Sequence, residues 1–329
     1  MCDLLASLNT ISPDSPLRNS LTSVSFATSW QADRTCLVTL YYDAPLSADD
    51  DERGDTWTRE ALSLATRHGW QQLTARSKKR IRYAFPNRPL TVKDSVYLRR
   101  GSDCWEVSLN SETLSNGVDT VKEVVYTKPE GAFAHPNPTV MCQALAWLLN
   151  RLEQIVGTTP TPTTSQTTLL ELYCGCGAHT MALAKSGLLA RIVAVELDDR
   201  LVQACYQNAQ DNGCDNVIDI VSQDAGQWAQ KKANGMCGND DDASILLVDP
   251  PKQGLDDRVK SLALAREGPL LIQHVLYISC GREALVRDLQ VLRQEFDVVD
   301  CLLLDLFPQT YSVESLVYLR RRKDTGHTD

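Results

Sequence analysis

The second half of the chain alternates short apolar runs with amphipathic runs. The apolar runs are nearly continuous and rich in branched residues, as in TLLEL, RIVAVE, ILLV and HVLYIS. Between them stand stretches with apolar residues at helical spacing, such as DRLVQACYQNAQDNG. Strands that are apolar throughout and alternate with helices predict a parallel sheet that is covered on both faces.

The end of the chain breaks this alternation. VVDCLLLDLF and ESLVYLRRR are two strand-like runs joined by a short turn. Because a connection this short makes neighbouring strands antiparallel, the pattern predicts a hairpin at one edge of the sheet. The predicted fold class is therefore α/β, a Rossmann-like sheet with an antiparallel C-terminal hairpin.

The first half of the chain has a mixed pattern of strands and helices. TCLVTLYYDAP and CWEVSLN are typical of strands, whereas TWTREALSLATRHGW and NPTVMCQALAWLLNRLEQIVG are typical of amphipathic helices. A Pro/Thr-rich stretch without apolar periodicity follows. We predict a poorly defined N-terminal segment at 1–33, a smaller α+β domain at 34–157, a linker at 158–168 and the α/β domain at 169–323.

Composition narrows the class of protein. The chain has 329 residues, and no apolar run is long enough to cross a bilayer, so we expect no membrane partner. The start of the chain does not resemble a secretory signal, and we expect a cytoplasmic protein, with mitochondrial and nuclear locations left open. The 11 cysteines form no C-x-x-C pair and no zinc-like spacing with histidine, so we expect free thiols and no metal.

The charges are clustered. The net charge of −9 argues against non-specific polyanion binding by the surface as a whole. One basic run mixes cations with aromatic residues, as surfaces that contact structured RNA do. Its cations are Arg76, Lys78, Lys79, Arg80 and Arg82. A solvated basic face explains such a run equally well.

Candidate ligand contacts follow successive predicted strands. Gly175 and Gly177 end the first strand of the α/β domain and open a helix, which lets the backbone approach a ligand. Glu196 ends the next strand, where a carboxylate can accept hydrogen bonds from two ribose hydroxyls. Asp224 follows the third strand and can accept one from an adenine amino group. A tight turn with two helix-capping acids is the structural alternative for this set.

Three further candidates lie at the ends of the later strands. Asp249 ends the fourth strand, where ligands bind in open α/β sheets, and two prolines after it restrict the chain. Cys280 ends the fifth strand, and Glu314 opens the last one. Taken alone, a cysteine at such a place is more often a packing residue. Because these strands are neighbours, however, we expect the thiol and the two acids to converge.

Four motifs resemble those of the tRNA (uracil-5-)-methyltransferase family, in order and in spacing. They are LLELYCGCG, LLVDPPKQGL, LYISCGREALVRDL and LFPQTYSVESLVYL. The resemblance runs from about Arg34 to the C-terminus. It implies a class I methyltransferase fold, S-adenosyl-L-methionine as the cofactor and tRNA as the partner, and we expect a monomer. It also implies cofactor contacts at Gln143, Tyr173 and Glu196, with Asp249 on the cofactor or the uracil.

The resemblance further implies covalent catalysis at C5 of a tRNA uridine, which we expect to lie in the T loop. Cys280 would add to C6 of the ring so that C5 becomes nucleophilic. After methylation, Glu314 would remove the proton from C5. A base inside a tRNA loop must be turned out of its stack to reach such a site.

Related ribosomal-RNA enzymes often hold an iron–sulfur cluster on four N-terminal cysteines. The cysteines in the first half of this chain are too scattered for that spacing. They are Cys2, Cys36, Cys104 and Cys142. We therefore expect no iron–sulfur cluster, which favours tRNA over ribosomal RNA as the substrate.

Some positions depart from the family pattern. Gly281 and Arg282 follow the cysteine where members usually have Asn-Pro, and Lys252 stands where they have arginine. The charge of Arg282 could lower the pKa of the thiol. Two alternatives stay open: a catalytically silent RNA-binding paralogue that acts as a tRNA-folding factor, and 5-methyluridine formation in ribosomal RNA.

Overall fold

A computed structural model describes residues 2–30, 35–46, 52–78, 80–88, 90–114, 120–132, 137–157, 167–235, 243–268 and 270–323. The helices are α1 (Cys2–Thr10), α2 (Glu52–His68), α3 (Pro138–Gly157), α4 (Ala178–Ser186), α5 (Asp199–Asp211), α6 (Ala225–Ala233), α7 (Asp257–Leu264) and α8 (Arg282–Leu292). The first seven strands are β1 (Leu21–Thr28), β2 (Cys36–Tyr42), β3 (Gln72–Arg76), β4 (Ile81–Tyr83), β5 (Thr91–Arg100), β6 (Trp105–Ser108) and β7 (Lys122–Pro129). The other seven are β8 (Thr168–Leu172), β9 (Arg191–Glu196), β10 (Ile218–Ser222), β11 (Ile245–Val248), β12 (His274–Ser279), β13 (Phe296–Leu304) and β14 (Glu314–Arg321).

The chain divides into two compact units, one of residues 1–94 with 128–134 and one of residues 95–127 with 135–329. This division does not coincide with the predicted boundaries at 33/34 and 157/158. Helix α3 packs against β6 and α4, which groups it with the larger unit. As functional boundaries the predicted ones stay predictions, and most of the predicted linker, 158–166, lies outside the described residues.

The smaller unit is built on a four-stranded sheet in the order β1-β2-β3-β4. Strands β2 and β3 are parallel, and both outer pairs are antiparallel. Helix α2 connects the parallel pair and buries Trp57, Ala61 and Leu64 against the sheet's Val38 and Leu73. Apolar residues on one face of α2 therefore supply the core of this unit, as its helical spacing predicts.

The larger unit contains a seven-stranded sheet in the order β10-β9-β8-β11-β12-β14-β13. The first five strands are parallel, and β14 is antiparallel to both of its neighbours. Every residue of β8 and of β11 is buried, because both faces of the central strands are covered. The predicted Rossmann-like sheet with a C-terminal antiparallel hairpin is confirmed.

Two buried asparagines, Asn208 in α5 and Asn212 at the end of that helix, bind the backbone of β7. The side-chain amide of Asn208 accepts from Thr127 N (2.7 Å) and donates to Thr127 O (3.1 Å). The amide of Asn212, one helical turn later, does the same with the backbone of Val125. Asn208 also donates to Cys176 O (2.8 Å), which lies in the glycine-rich turn after β8. The two side chains thus satisfy strand groups that would otherwise lack partners.

Strand β8 carries an acid in its apolar interior. Glu171 is buried, and its Oε2 accepts a hydrogen bond of 2.7 Å from the hydroxyl of Thr180. Burial raises the pKa of Glu171 to about 8, and the Thr180 hydrogen bond offsets only part of that effect. The carboxyl group is therefore mostly protonated at neutral pH in the folded chain and ionised in the unfolded one.

Replacing Glu171 tests how much its burial lowers the free energy of unfolding. A group whose pKa rises on folding contributes stability at low pH and loses it as pH rises from its unfolded to its folded value. We expect Glu171→Gln to unfold like the unsubstituted chain near pH 4 and to be more stable by roughly 1–3 kcal/mol at pH 8. Denaturant unfolding at both pH values measures the difference. Glu283→Gln, at an exposed position, is the control, and equal pH dependence in all three proteins would contradict the prediction.

Candidate active site

The candidate residues of the later strands meet at one end of the sheet. Ser279 of β12 pairs with Ser315 of the antiparallel β14, so Cys280 follows β12 beside Glu314, the first residue of β14. Val248 of β11 pairs with Tyr277, which brings Asp249 to the same end. The predicted convergence of Cys280, Asp249 and Glu314 thus has a basis in strand register.

The two acids differ from the cysteine in exposure. Glu314 is only 3% exposed, whereas Cys280 is exposed. Burial raises the pKa of Glu314 to about 7. Burial also raises the pKa of Asp249 well above its usual value, and the nearby charges of Glu314 and Glu171 raise it further. Carboxyl groups that are shielded from solvent and lie near one another favour the protonated form.

The electrostatics of Cys280 are set by these acids and by one lysine. Partial burial raises the pKa of its thiol, and the charges of Asp249 and Glu314 act in the same direction. A hydrogen bond from its own backbone N–H and the charge of Lys252 lower it. Lys252 of the DPPK turn is thus a cation that acts on the thiol, and the suggested effect of Arg282 stays a prediction. The thiol needs a base before it can act as a nucleophile.

Close backbone packing positions the Lys252 turn against the cysteine. A Cβ at Gly281 would overlap the carbonyl oxygen of Lys252, so a glycine is needed where the two turns meet. Gly254, with φ of 89°, faces the carboxylate of Asp288, whose Oδ2 accepts from Leu255 N at 2.8 Å. The hydroxyl of Tyr277 donates to the same oxygen at 2.7 Å. Sequence reasoning did not single out Asp288, because one acid in an amphipathic helix gives no signal of its own.

A cavity of about 510 Å³ opens over the exposed thiol. Three cations line it, Lys252, Arg282 and Arg287, together with one acid, Glu283. Tyr311, from the turn between β13 and β14, stands fully exposed among the lining residues. The cavity thus presents a sulfur atom within a mainly cationic wall.

The predicted cofactor residues of the first strands form a second cluster. Tyr173, Gly175 and Gly177 all have positive φ, at 66°, 59° and 84°, in the turn between β8 and α4. A Cβ at Gly177 would lie 2.8 Å from Cys205 Sγ, whereas one at Gly175 would meet nothing within 4 Å. The turn therefore packs tightly on one side and is open on the other, where backbone groups are accessible to a ligand.

The carboxylate of Glu196 is bound to this turn. Its Oε2 accepts from Gly175 N at 2.9 Å, and its Oε1 accepts from Leu197 N and Asp198 N at 2.8 and 2.9 Å. These bonds orient the acid at the end of β9, with lone pairs left for further donors. Glu196 and Gly175 are thus brought together as predicted, and the structure adds a loop-ordering role that the sequence did not show.

Asp224 caps helix α6 as well as lying near the predicted cofactor residues. Its Oδ1 accepts from Gln227 N at 2.9 Å, and Arg258 lies 3.4 Å from the same oxygen. Burial raises the pKa of the Tyr173 hydroxyl, and the charges of Asp256 and Asp224 raise it too. The charge of Asp224 thus acts on Tyr173. Asp224 thus has the helix-capping role considered as the structural alternative. A hydrogen bond from an adenine amino group would have to be accepted by its other carboxylate oxygen, Oδ2.

Gln143 lies apart from this cluster. It is exposed on α3 and lines a cavity of about 450 Å³ with Trp105 of β6 and Cys142. None of the other predicted cofactor residues lines that cavity. A cofactor role of Gln143 stays a prediction that this geometry does not favour.

The predicted RNA-binding run is only partly available at the surface. Arg76 forms an ion pair with Glu130, and Arg82 is 6% exposed with its guanidinium 5.9 Å from the ring centre of Trp57. Both are used in the packing of the smaller unit, so the structure does not support them as phosphate contacts. Lys78 and Arg80 are exposed, and Lys79 lies outside the described residues.

The described residues provide neither a membrane-spanning helix nor a metal-binding cluster. No helix there is long and apolar enough to span a membrane. No group of three or more His, Cys, Asp or Glu side chains in that part of the chain could hold a metal ion.

Comparison with known proteins identifies the family. The model of the tRNA (Uracil-5-)-methyltransferase family matches residues 1–322, further towards the N-terminus than the motifs near Arg34 indicated. A tRNA/tmRNA (uracil-C(5))-methyltransferase of Pseudoalteromonas atlantica is 30% identical over 87% of this chain and 68% of its own length. The enzyme of the same name from an Azoarcus species is 30% identical over 93% and 72%. The chain belongs to the tRNA (uracil-5-)-methyltransferase family, which is a family of enzymes.

Solved structures similar to this chain include one with a bound ligand. The Pyrococcus abyssi tRNA (uracil-54, C5)-methyltransferase in complex with S-adenosyl-L-homocysteine is 16% identical, with a TM-score of 0.49. It covers 87% of this chain, which spans 56% of that chain. The fold assignment rests on the strand order described above.

The lysine beside the thiol offers a test of the site's electrostatics. Lys252→Met removes a charge that lowers the pKa of Cys280, so we expect iodoacetamide to alkylate that thiol roughly two to three times more slowly near pH 8. Mass spectrometry of the Cys280 peptide measures the rate across pH. Lys323→Met removes an equal charge beyond the far end of β14 and should leave the rate unchanged. Equal rates in the two variants would show that Lys252 does not act on the thiol.

Proposed function

We propose that this protein methylates C5 of a uridine in tRNA, with S-adenosyl-L-methionine as the methyl donor and a covalent bond between Cys280 and C6 of the base. The observation that carries the proposal is the β12–β14 register, which places the exposed thiol beside a buried carboxyl group in a member of this family. The target that we propose is a T-loop uridine, as the resemblance implies.

The donor fits the cluster at the other strand ends. The glycine-rich turn is open at Gly175, and Glu196 is held next to it by that residue's N–H. Tyr173, Glu196 and Asp224 would hold the nucleoside part of the donor, and Asp249 lies between that cluster and Cys280 in the strand order. When bound, S-adenosyl-L-methionine supplies the methyl group.

The roles of Cys280 and Glu314 follow from the chemistry of uracil. The exposed Cys280 thiol would lose its proton to solvent and form a bond to C6, and the electrons of the C5–C6 double bond would move towards O4, which makes C5 nucleophilic. C5 would then bond to the methyl group as the bond from that group to the donor sulfur breaks, and the Glu314 carboxylate would take the C5 proton. The double bond then forms again, the bond from sulfur to C6 breaks, and the thiolate leaves.

Two substitutions separate these roles. Cys280→Ala should lower methyl transfer to unmodified tRNA by roughly a thousandfold or more, because no adduct can form. Glu314→Gln should accumulate a methylated adduct that appears as a retarded protein–RNA band on a denaturing gel. Cys301→Ala, which removes another exposed cysteine, is the matched control and should transfer methyl groups normally. Full activity of Cys280→Ala would exclude covalent catalysis by this residue.

The pKa of Glu314 predicts a pH dependence. With a pKa of about 7, the carboxyl group is protonated at lower pH and cannot accept the C5 proton. We therefore expect the single-turnover rate of methylated tRNA release to rise with pH through about 7 and then level as the carboxylate becomes fully ionised. A rate that stays constant from pH 6 to pH 8 would be incompatible with Glu314 as the base.

Calorimetry with S-adenosyl-L-methionine tests the alternative that the protein is catalytically silent. A catalytically silent RNA-binding paralogue would bind tRNA without heat exchange on addition of S-adenosyl-L-methionine. The open glycine-rich turn supports donor binding instead. Mapping 5-methyluridine in tRNA and in ribosomal RNA from cells that lack the protein would identify the RNA substrate.

A further inference from the structure

The cation-lined cavity over Cys280 extends beyond what a single uracil ring needs. The cavity is lined by the first turn of α8, by Arg287 further along that helix and by the turn before β14. We propose that Arg282, Arg287 and Tyr311 form a docking surface for the nucleotides next to the target uridine. This inference rests on the proposed function, because it names where the substrate RNA is held.

Arg282 occupies a place that folding alone does not favour. It is the first residue of α8, where the helix dipole opposes a positive charge, and the cap residue Gly281 provides no side-chain hydrogen bond. In the part of the chain that the structure describes, the Arg282 guanidinium is exposed and forms no hydrogen bond or ion pair. A cation in this place is available for an anion that enters the cavity.

Arg287 adds a second cation to the lining of the cavity. Its Nη2 donates to the backbone oxygen of Gln253 at 3.0 Å, which orients the guanidinium towards the turn that contains Lys252. It lies five positions after Arg282 in the helix, a rise of about 7.5 Å along the axis. The two guanidiniums can therefore contact different phosphates rather than compete for one.

Tyr311 provides the aromatic part of the surface. Its side chain is fully exposed in the turn between β13 and β14. Turning a uridine out of its loop leaves its neighbours without a stacking partner, and an exposed aromatic ring stacks on any base without regard to sequence. A ring at the mouth of the cavity is therefore placed to stack on a base adjacent to the one held at Cys280.

The charges of the cavity wall are those expected of a surface that binds RNA. Of the predicted RNA-binding run in the smaller unit, Arg76 and Arg82 are used in packing, which leaves them less available for phosphate contacts. Glu283 is the acid of the cavity wall, against Lys252, Arg282 and Arg287. This local excess of positive charge contrasts with the net charge of −9 for the chain.

Binding of unmodified tRNA without the methyl donor tests the docking surface. Fluorescence anisotropy at several salt concentrations would give the dissociation constant and its salt dependence. We expect Arg282→Gln and Arg287→Gln each to weaken binding roughly five- to twentyfold and to reduce the slope of log affinity against log salt by about 0.7–0.9. Tyr311→Ala should weaken binding roughly fivefold or more without changing the slope, and Tyr311→Phe should restore it.

Matched controls lie elsewhere in the same unit. Arg293→Gln removes an equal charge at the opposite end of α8, and Tyr206→Ala removes another exposed tyrosine. Both should bind tRNA as the unsubstituted chain does. The proposal is overturned if the Arg282→Gln/Arg287→Gln double variant keeps normal affinity and salt slope, or if Arg293→Gln loses as much.

The same measurements separate this inference from the proposed function. If the unsubstituted chain binds tRNA through these residues but transfers no methyl group, the docking surface holds and the proposed activity fails. If it methylates tRNA while the variants bind normally, the activity holds and the docking surface fails.

Discussion

The antiparallel pairing of β14 with β12 is the constraint on which the candidate site depends. In a sheet of parallel strands only, the first residue of a strand lies at the end opposite to the carboxyl ends of its neighbours. Because β14 is antiparallel to β12, its first residue, Glu314, lies at the end of β12, where Cys280 follows. One reversal of strand direction thus brings a thiol and a carboxyl group to the same end of the sheet, through a β12–β14 register without a shift.

Burial then decides the chemistry of these groups. Glu171, Asp249 and Glu314 carry carboxyl groups whose pKa values burial raises. The charges of Asp249 and Glu314 oppose ionisation of the Cys280 thiol, whereas the charge of Lys252 and a backbone N–H favour it. The pKa of the thiol is raised overall, so the thiol must lose its proton before it can act as a nucleophile.

Glycines at close approaches hold the parts of the site together. Gly281 allows the cysteine turn to meet the carbonyl of Lys252, and Gly254 allows the DPPK turn to approach Asp288. Asp288 then accepts hydrogen bonds from Leu255 N and from the hydroxyl of Tyr277. Gly281 and Arg282, at the positions that depart from the family pattern, thus provide a close contact between the two turns and a cation at the cavity.

The sequence by itself determined the α/β sheet, the C-terminal hairpin and the strand-end positions of Cys280, Asp249 and Glu314, because hydrophobic period and glycine turns are local properties. Tertiary structure decided which charged groups are available. Arg82 packs on Trp57, Arg76 pairs with Glu130 and Asp224 caps α6, and nothing in a basic or acidic run distinguishes a partnered charge from an exposed one. Contacts such as Asp288 with Leu255 join residues far apart in the chain, so only the folded arrangement shows them.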